Sequence, residues 1–208
     1  TEAERVAQLH REEGLTVAVI EQEKIFNEFS SGAPDASAYR RLMKMFYDRA
    51  EGNENVRPRY LLLFGDGSYN NRKSMEKLHS PECNMLLTYQ SKTSIDERES
   101  FVIEDYFGFL EDNSGEEIKV DKVCLGIGRF PISSIKNARL VVDKLYRYVH
   151  DKDFSSWKNN ICIAADDGDG AIHAEQADKG SDTLLLKNTS QPRLGFRVNK
   201  IYIDSYYM

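Results

Sequence analysis

The 208 residues are 40% apolar and 30% charged, with a net charge of −6. This balance argues for a folded globular chain and against disorder. Acidic and basic residues are interspersed, so no basic stripe marks a nucleic-acid partner, and apolar runs of about five residues are too short to span a bilayer.

At this length the chain holds one α/β domain with a sizeable core, or slightly more than one. It opens Thr-Glu-Ala-Glu-Arg, which has none of the features of a signal peptide, and it closes soon after its last strand-like run. It reads as the first part of a larger active domain. Cys83, Cys124 and Cys162 occur singly, so neither metal-ligand spacing nor a disulfide framework is indicated. Cys124 and Cys162 fall inside strand-like runs and are expected to pack as small hydrophobes.

In chain order, residues 2–13 predict an amphipathic helix broken by Gly14, and Leu15–Ile20 a strand rich in β-branched residues. Pro34-Asp35-Ala36-Ser37 opens a second helix, with Tyr39, Leu42, Met43 and Phe46 forming its core stripe. Arg57-Pro58-Arg59 marks a boundary. Tyr60–Phe64 reads as a central strand buried on both faces, ending in the tight turn Gly65-Asp66-Gly67-Ser68.

Residues 69–84 are polar and irregular. Met85–Tyr89 predicts a short strand, and Phe101–Leu110 leads into a hairpin turn at Glu111–Gly115. Val123–Ile127 predicts a core strand closed by Gly128-Arg129-Phe130-Pro131. A helix follows from about Ser134 to His150, with Ile135, Ala138, Val142, Leu145, Tyr146 and Val149 on one face. A strand at 160–165, a helix from Ala171 to about Leu186 and a strand at 199–203 complete the pattern. Strands alternating with helices predict a three-layer α/β fold with a mostly parallel sheet and helices on both faces. Its site belongs at the carboxyl ends of the strands. Gly65–Gly67, Gly128–Pro131 and Asp166–Gly170 are expected to cluster on one edge.

Neither glycine turn completes a dinucleotide fingerprint, since Asn70 stands where a third glycine is needed after Gly65 and Gly67. These glycines serve tight turns. The run Asp166-Asp167-Gly168-Asp169-Gly170 admits three readings. It could be a hard-cation site, although its spacing is not that of an EF-hand. It could be a solvated turn capping the next helix, with Asp169 the best-placed cap. It could also supply an active-site acid. His173 reads as a partly buried helix residue, and Arg129 as one member of a structural ion pair.

Several segments, in order and spanning nearly the whole chain, resemble the gingipain family of secreted cysteine peptidases. They are Ile25–Gly32, Lys44–Arg49, Tyr60–Tyr69, Asp105–Gly108, Gly126–Pro131 and Ala164–Asp169, then His173 and Lys200–Tyr206. The likeness is nearest to the sortase branch, which serves type IX secretion. It implies a caspase-like fold and a polypeptide substrate; no cofactor and no metal ligand is assigned, and the charge pattern argues against a nucleic-acid partner.

In that family a His-Gly turn and a later strand-end Cys form the catalytic dyad. None of His10, His79, His150 and His173 is followed by Gly, and all three cysteines lie too early. The resemblance therefore implies that residues 1–208 are an N-terminal subdomain cut before the dyad and inactive by itself. Its partners would be the C-terminal subdomain and other type IX components, at the outer membrane or cell surface.

The family's acidic residue that orients the catalytic His maps onto Asp167, with Asp166 as runner-up. Arg-specific members carry an acidic specificity residue three positions before a histidine. Counted back from His173, that position is Gly170, which argues against Arg selectivity.

Overall fold

The structure is a computed structural model that describes every residue except 73–83, 94, 118–119, 154, 167, 191–194 and 204–208. The chain divides into two units, Thr1–Val149 and His150–Met208. In the first, α1 (Glu2–Glu12), α2 (Gln22–Phe29) and α3 (Ser37–Arg49) precede β1 (Tyr60–Phe64). A 3-10 turn at Asp105–Gly108, β2 (Gly126–Phe130) and α4 (Ile135–Val149) follow. The second unit holds β3 (Asn160–Ala165), α5 (Gly168–Ser190) and β4 (Arg197–Tyr202).

In α1 the Thr1 hydroxyl accepts the Glu4 N–H, and Glu2 and Glu4 meet the positive end of the helix dipole. Helices α1 and α4 pack together, tied by Arg5–Asp143 at 2.8 Å and by Tyr146, whose hydroxyl donates to the Arg5 carbonyl at 2.8 Å. Their buried residues are Val6, Ala7 and Leu9, and Ala138 and Val142. Ile135 and Val149, assigned to the same core face by spacing, are exposed. They sit in the first and last positions of α4, where its buried face has ended.

The main core gathers Ile25 and Phe26 of α2, Ala38, Tyr39 and Leu42 of α3, Leu63 of β1, and Leu87, Phe107 and Phe109. Tyr39 stacks on Phe26 and meets Phe107 edge-on, with ring centroids 5.8 and 5.5 Å away. Phe46, the last member of the predicted α3 stripe, is exposed instead.

Strands β1 and β2 pair in parallel from Tyr60↔Gly126 to Phe64↔Phe130, and β3 pairs in parallel with β4 from Asn160↔Arg197 to Ala165↔Tyr202. The protein is thus mixed α/β, with helices and short parallel strands. Several predicted elements differ. Strand β2 begins three residues later than predicted and contains Gly126 and Gly128. A side chain at Gly126 would press on the Tyr60 ring, 2.9 Å from its Cδ1, so the bare glycine lets Tyr60 lie across the ladder. Strand β1 is buried on one face only. Leu63 enters the core, while Tyr60 and Leu62 are exposed.

Leu15–Ile20 forms no strand. It is irregular, and Arg11 holds the Val17 carbonyl through Nε and Nη2 at 3.2 and 2.8 Å. Phe101–Leu110 forms no hairpin across the Glu111–Gly115 turn among the described residues. Val102 bridges back to Gln90, and the chain then turns through the 3-10 segment. Met85–Tyr89 contributes only an isolated parallel bridge, Met85 to Asp66. Side chains take the place of a ladder there. Gln22 donates to the Met85 carbonyl at 2.9 Å, the Tyr39 hydroxyl accepts the Leu87 N–H at 3.2 Å, and Asn71 both accepts from and donates to the Thr88 backbone.

Candidate active-site region

At the carboxyl end of β1 the chain turns through Gly65-Asp66-Gly67, and Arg129 of β2 holds the carbonyls of its first two residues. Parallel pairing places Arg129 opposite the core residue Leu63, one residue from the strand end. Its side chain is 11% exposed and its donors are all engaged. Nε and Nη2 donate to the two oxygens of Glu104 at 2.8 and 3.2 Å. Nη1 reaches the carbonyls of Gly65 and Asp66 at 3.2 and 3.3 Å, and Nη2 also the Leu87 carbonyl at 3.0 Å. This is the ion pair predicted for Arg129, and it binds three chain segments to one planar cation.

Gly67 fits because it has no side chain. A Cβ there would lie 2.7 Å from Thr88 Cγ2 and 3.3 Å from Arg129 Cζ. Asn84 closes the other side, donating from Nδ2 to the Phe64 carbonyl at 2.8 Å, while its own backbone carbonyl accepts the Asp66 N–H. The Asp66 carboxylate accepts the Gly67 N–H at 2.9 Å. Every part of this turn is built to hold shape, and no nucleophile stands in Gly65-Asp66-Gly67. Glu104 and Asn84 were invisible as functional partners in the sequence, because nothing in local spacing ties them to residue 129 or residue 64.

In the second unit, β3 ends at Ala165 and Asp166 follows it, exposed. Asp167, the principal candidate, lies outside the described residues. Asp169, Gly170 and Ala171 then take consecutive left-handed conformations (φ 54°, 71° and 64°) before the right-handed helix resumes. Asp169 and Ala171 are L-residues in a region that favours glycine, so this turn is locally strained. The right-handed part of α5 therefore starts after Ala171, near the predicted beginning.

His173 Nε2 lies 3.8 Å from Asp169 Oδ2, with both side chains exposed. The histidine is exposed rather than partly buried, with its imidazole toward the equally exposed Asp169 carboxylate. Further along, Asp178 draws together Lys200, at 2.7 Å, and the Tyr202 hydroxyl of β4. The hydrogen bond from Lys200, followed by that from Tyr202, holds the Asp178 carboxyl below its usual range.

Cys162 is exposed on β3, and Cys124, just before β2, is half-buried. The expectation that both pack as core hydrophobes fails for Cys162 because β3 alternates, with Ile161 and Ile163 half-buried and Cys162 on the opposite face. Cys83 and His79 lie outside the described residues. Among the described residues, no group of three or more His, Cys, Asp or Glu side chains is placed to hold a metal ion, and no helix is long and apolar enough to cross a membrane.

The described residues thus hold a glycine-bearing turn after one parallel strand and, in the second unit, Asp166 after another. The sequence profile of peptidase family C25 matches residues 1–208, and the chain belongs to that family of cysteine peptidases. The chain is similar to the latent, dimeric form of PorU from Porphyromonas gingivalis, known from a crystal structure. Identity is 33% over 85% of this chain, with a TM-score of 0.64. The chain spans only 19% of that PorU chain. No curated protein matches it.

Proposed function

We propose that residues 1–208 form the N-terminal portion of a PorU-like cysteine peptidase that removes C-terminal sorting signals from type IX secretion cargo. The observation that carries this reading is the family match over residues 1–208, joined to 33% identity with PorU over most of the chain. In this reading a His-activated thiolate, supplied by a C-terminal subdomain, attacks the peptide carbonyl. The acyl-enzyme then passes to water or an amine.

Asp167 serves as the orienting carboxylate for that His, holding its tautomer and stabilising the imidazolium. Asp166 is the alternative, and its exposure at the end of β3 leaves its carboxylate accessible. The protein acts at the outer membrane or cell surface on polypeptide substrates, alongside other type IX components. In this reading the 208 residues alone hydrolyse nothing, because the His-Gly turn and the later strand-end Cys of the family's dyad are not among them.

The competing readings are a general gingipain-like secreted endopeptidase and a non-catalytic peptide-binding pseudo-peptidase, and against Arg specificity in the former stands Gly170. It stands where Arg-specific relatives carry their acidic specificity residue, and it brings no charge to recognise an arginine. The test is deletion of the gene followed by mass analysis of secreted cargo. Cargo retaining its C-terminal signal, with processing restored by the wild-type gene, supports the sortase reading. Normally processed cargo overturns it.

A further inference from the structure

At the amino end of the β1–β2 pair lies a pocket of about 300 Å³ lined by Glu54, Arg57, Pro58, Arg59, Tyr60 and Cys124. It is away from the turn that Arg129 organises, because Arg59 precedes β1 and its carbonyl accepts the Gly126 N–H at the first rung of the ladder. Two arginines and one carboxylate line it, and that carboxylate is already committed. Glu54 accepts from Arg57 Nη1 at 2.5 Å and is itself largely exposed.

Arg57 is held in place by its plane, which lies over the Tyr47 ring with Cζ 4.5 Å from the centroid. Its Nε is buried, yet it has no hydrogen-bond partner, alone in this among the side-chain nitrogens and oxygens of the described residues. A buried donor on a cation is costly to leave unmatched, more so than a neutral one. Arg59, exposed, makes no ion pair among the described residues, so the pocket lining carries two positive charges against the single carboxylate of Glu54.

We propose that this pocket binds a small oxyanion, the carboxylate or phosphate group of a ligand, with Arg57 as its principal contact and Arg59 as the second cation. The chemistry favours that class. Nε and Nη2 of a guanidinium form a fork that pairs with two oxygens of a carboxylate or phosphate, and in Arg57 the bond to Glu54 uses only Nη1. An oxyanion also supplies the negative charge that Glu54 alone does not. The site is independent of the peptidase reading, since it lies at the opposite end of the β1–β2 pair from the turn after β1.

Cys124, in the pocket wall, gives the readout. The purified chain with Cys83→Ser and Cys162→Ser keeps this one thiol, whose reaction with the neutral disulfide 4,4′-dithiodipyridine is followed by absorbance. Inorganic phosphate and acetate are titrated in separate arms against chloride at matched ionic strength. A saturable fall in the rate constant with phosphate, acetate or both supports the site. The arm that saturates identifies the group, and Arg57→Gln or Arg59→Gln abolishes the effect. Arg59 is exposed, so Arg59→Gln remains informative even if Arg57→Gln fails to fold. No saturable slowing with either anion, or slowing that survives Arg59→Gln in a folded variant, overturns the proposal.

Discussion

Arg129 and Glu104 meet fork to fork, Nε to Oε1 at 2.8 Å and Nη2 to Oε2 at 3.2 Å, with side chains 11% and 27% exposed. The pair joins β2 to the residue just before the 3-10 segment, and the other guanidinium contacts hold the turn after β1 and the Leu87 carbonyl. Breaking a buried pair by deleting one partner costs about 3–5 kcal/mol, because the other charge is left behind. Arg129→Ala is therefore expected to lower the thermal midpoint by roughly 10 °C, at about 2–4 °C per kcal/mol for a chain of this size. Arg129→Lys should fall in between, since a single ammonium cannot reach all three segments. A midpoint unchanged in Arg129→Ala, measured by circular dichroism, contradicts this account of the turn.

Tyr39 makes alkaline stability the second prediction. Burial pushes its phenol up to about 12 from 10.0, and its hydroxyl bridges Gln22 and Leu87. The folded state holds this proton more tightly than the unfolded chain does. Linkage to Tyr39 is therefore silent below about pH 10, and stability declines as pH rises from about 10 to 12. The rise from 10.0 to about 12 corresponds to at most about 2.7 kcal/mol. Urea unfolding at pH 9 and pH 11.5 should show a steep fall in wild type and a shallower one in Tyr39→Phe. Equal falls in the two proteins would remove Tyr39 as the cause.

Two glycines should respond to alanine in opposite directions. At Gly67 a Cβ meets Thr88 Cγ2 at 2.7 Å and the Arg129 guanidinium at 3.3 Å, so Gly67→Ala is expected to destabilise by about 1–3 kcal/mol, as overpacked sites do. At Gly180, inside α5, nothing lies within 4 Å, and Gly180→Ala should stabilise by about 0.5–1 kcal/mol through helix propensity. Chemical denaturation of both variants checks the pair. A stabilised Gly67→Ala would mean that Thr88 and Arg129 are not packed against that turn.

Elements marked by their own local chemistry were legible in the sequence. Helices α1, α3 and α4 and strands β1, β3 and β4 fall where caps, 3.6-residue spacing or β-branched runs place them. The elements that were missed depend on distant partners. Helix α2 has eight residues and no side-chain cap at its start, and it is fixed by Ile25 and Phe26 entering the core beside Tyr39. Leu15–Ile20 has strand propensity, but propensity does not specify a neighbour. Gly128 read as the start of a closing turn, yet it lies inside β2 opposite Leu62.

The candidate site was legible to the same degree. The Arg129 ion pair could be anticipated from its place at a strand end. Its partner Glu104, 25 residues earlier, could not. The helix cap, one of the three readings open to the run at Asp169, does not form there, because its φ of 54° puts it in a left-handed turn with its carboxylate toward His173. No sequence pattern announces three consecutive residues in that conformation.

Asp167, in the carboxylate run after β3, is proposed as the orienting residue of a cysteine-peptidase dyad. The most direct test measures turnover of a sorting-signal peptide by the full-length enzyme carrying Asp167→Asn, beside Asp166→Asn and wild type. Iodoacetamide sensitivity confirms that a thiol carries out the reaction. The account predicts that Asp167→Asn folds normally and loses roughly 10- to 10⁴-fold in kcat, as orienting carboxylates do elsewhere, while Asp166→Asn retains most of its rate. Wild-type turnover by a correctly folded Asp167→Asn enzyme would contradict it.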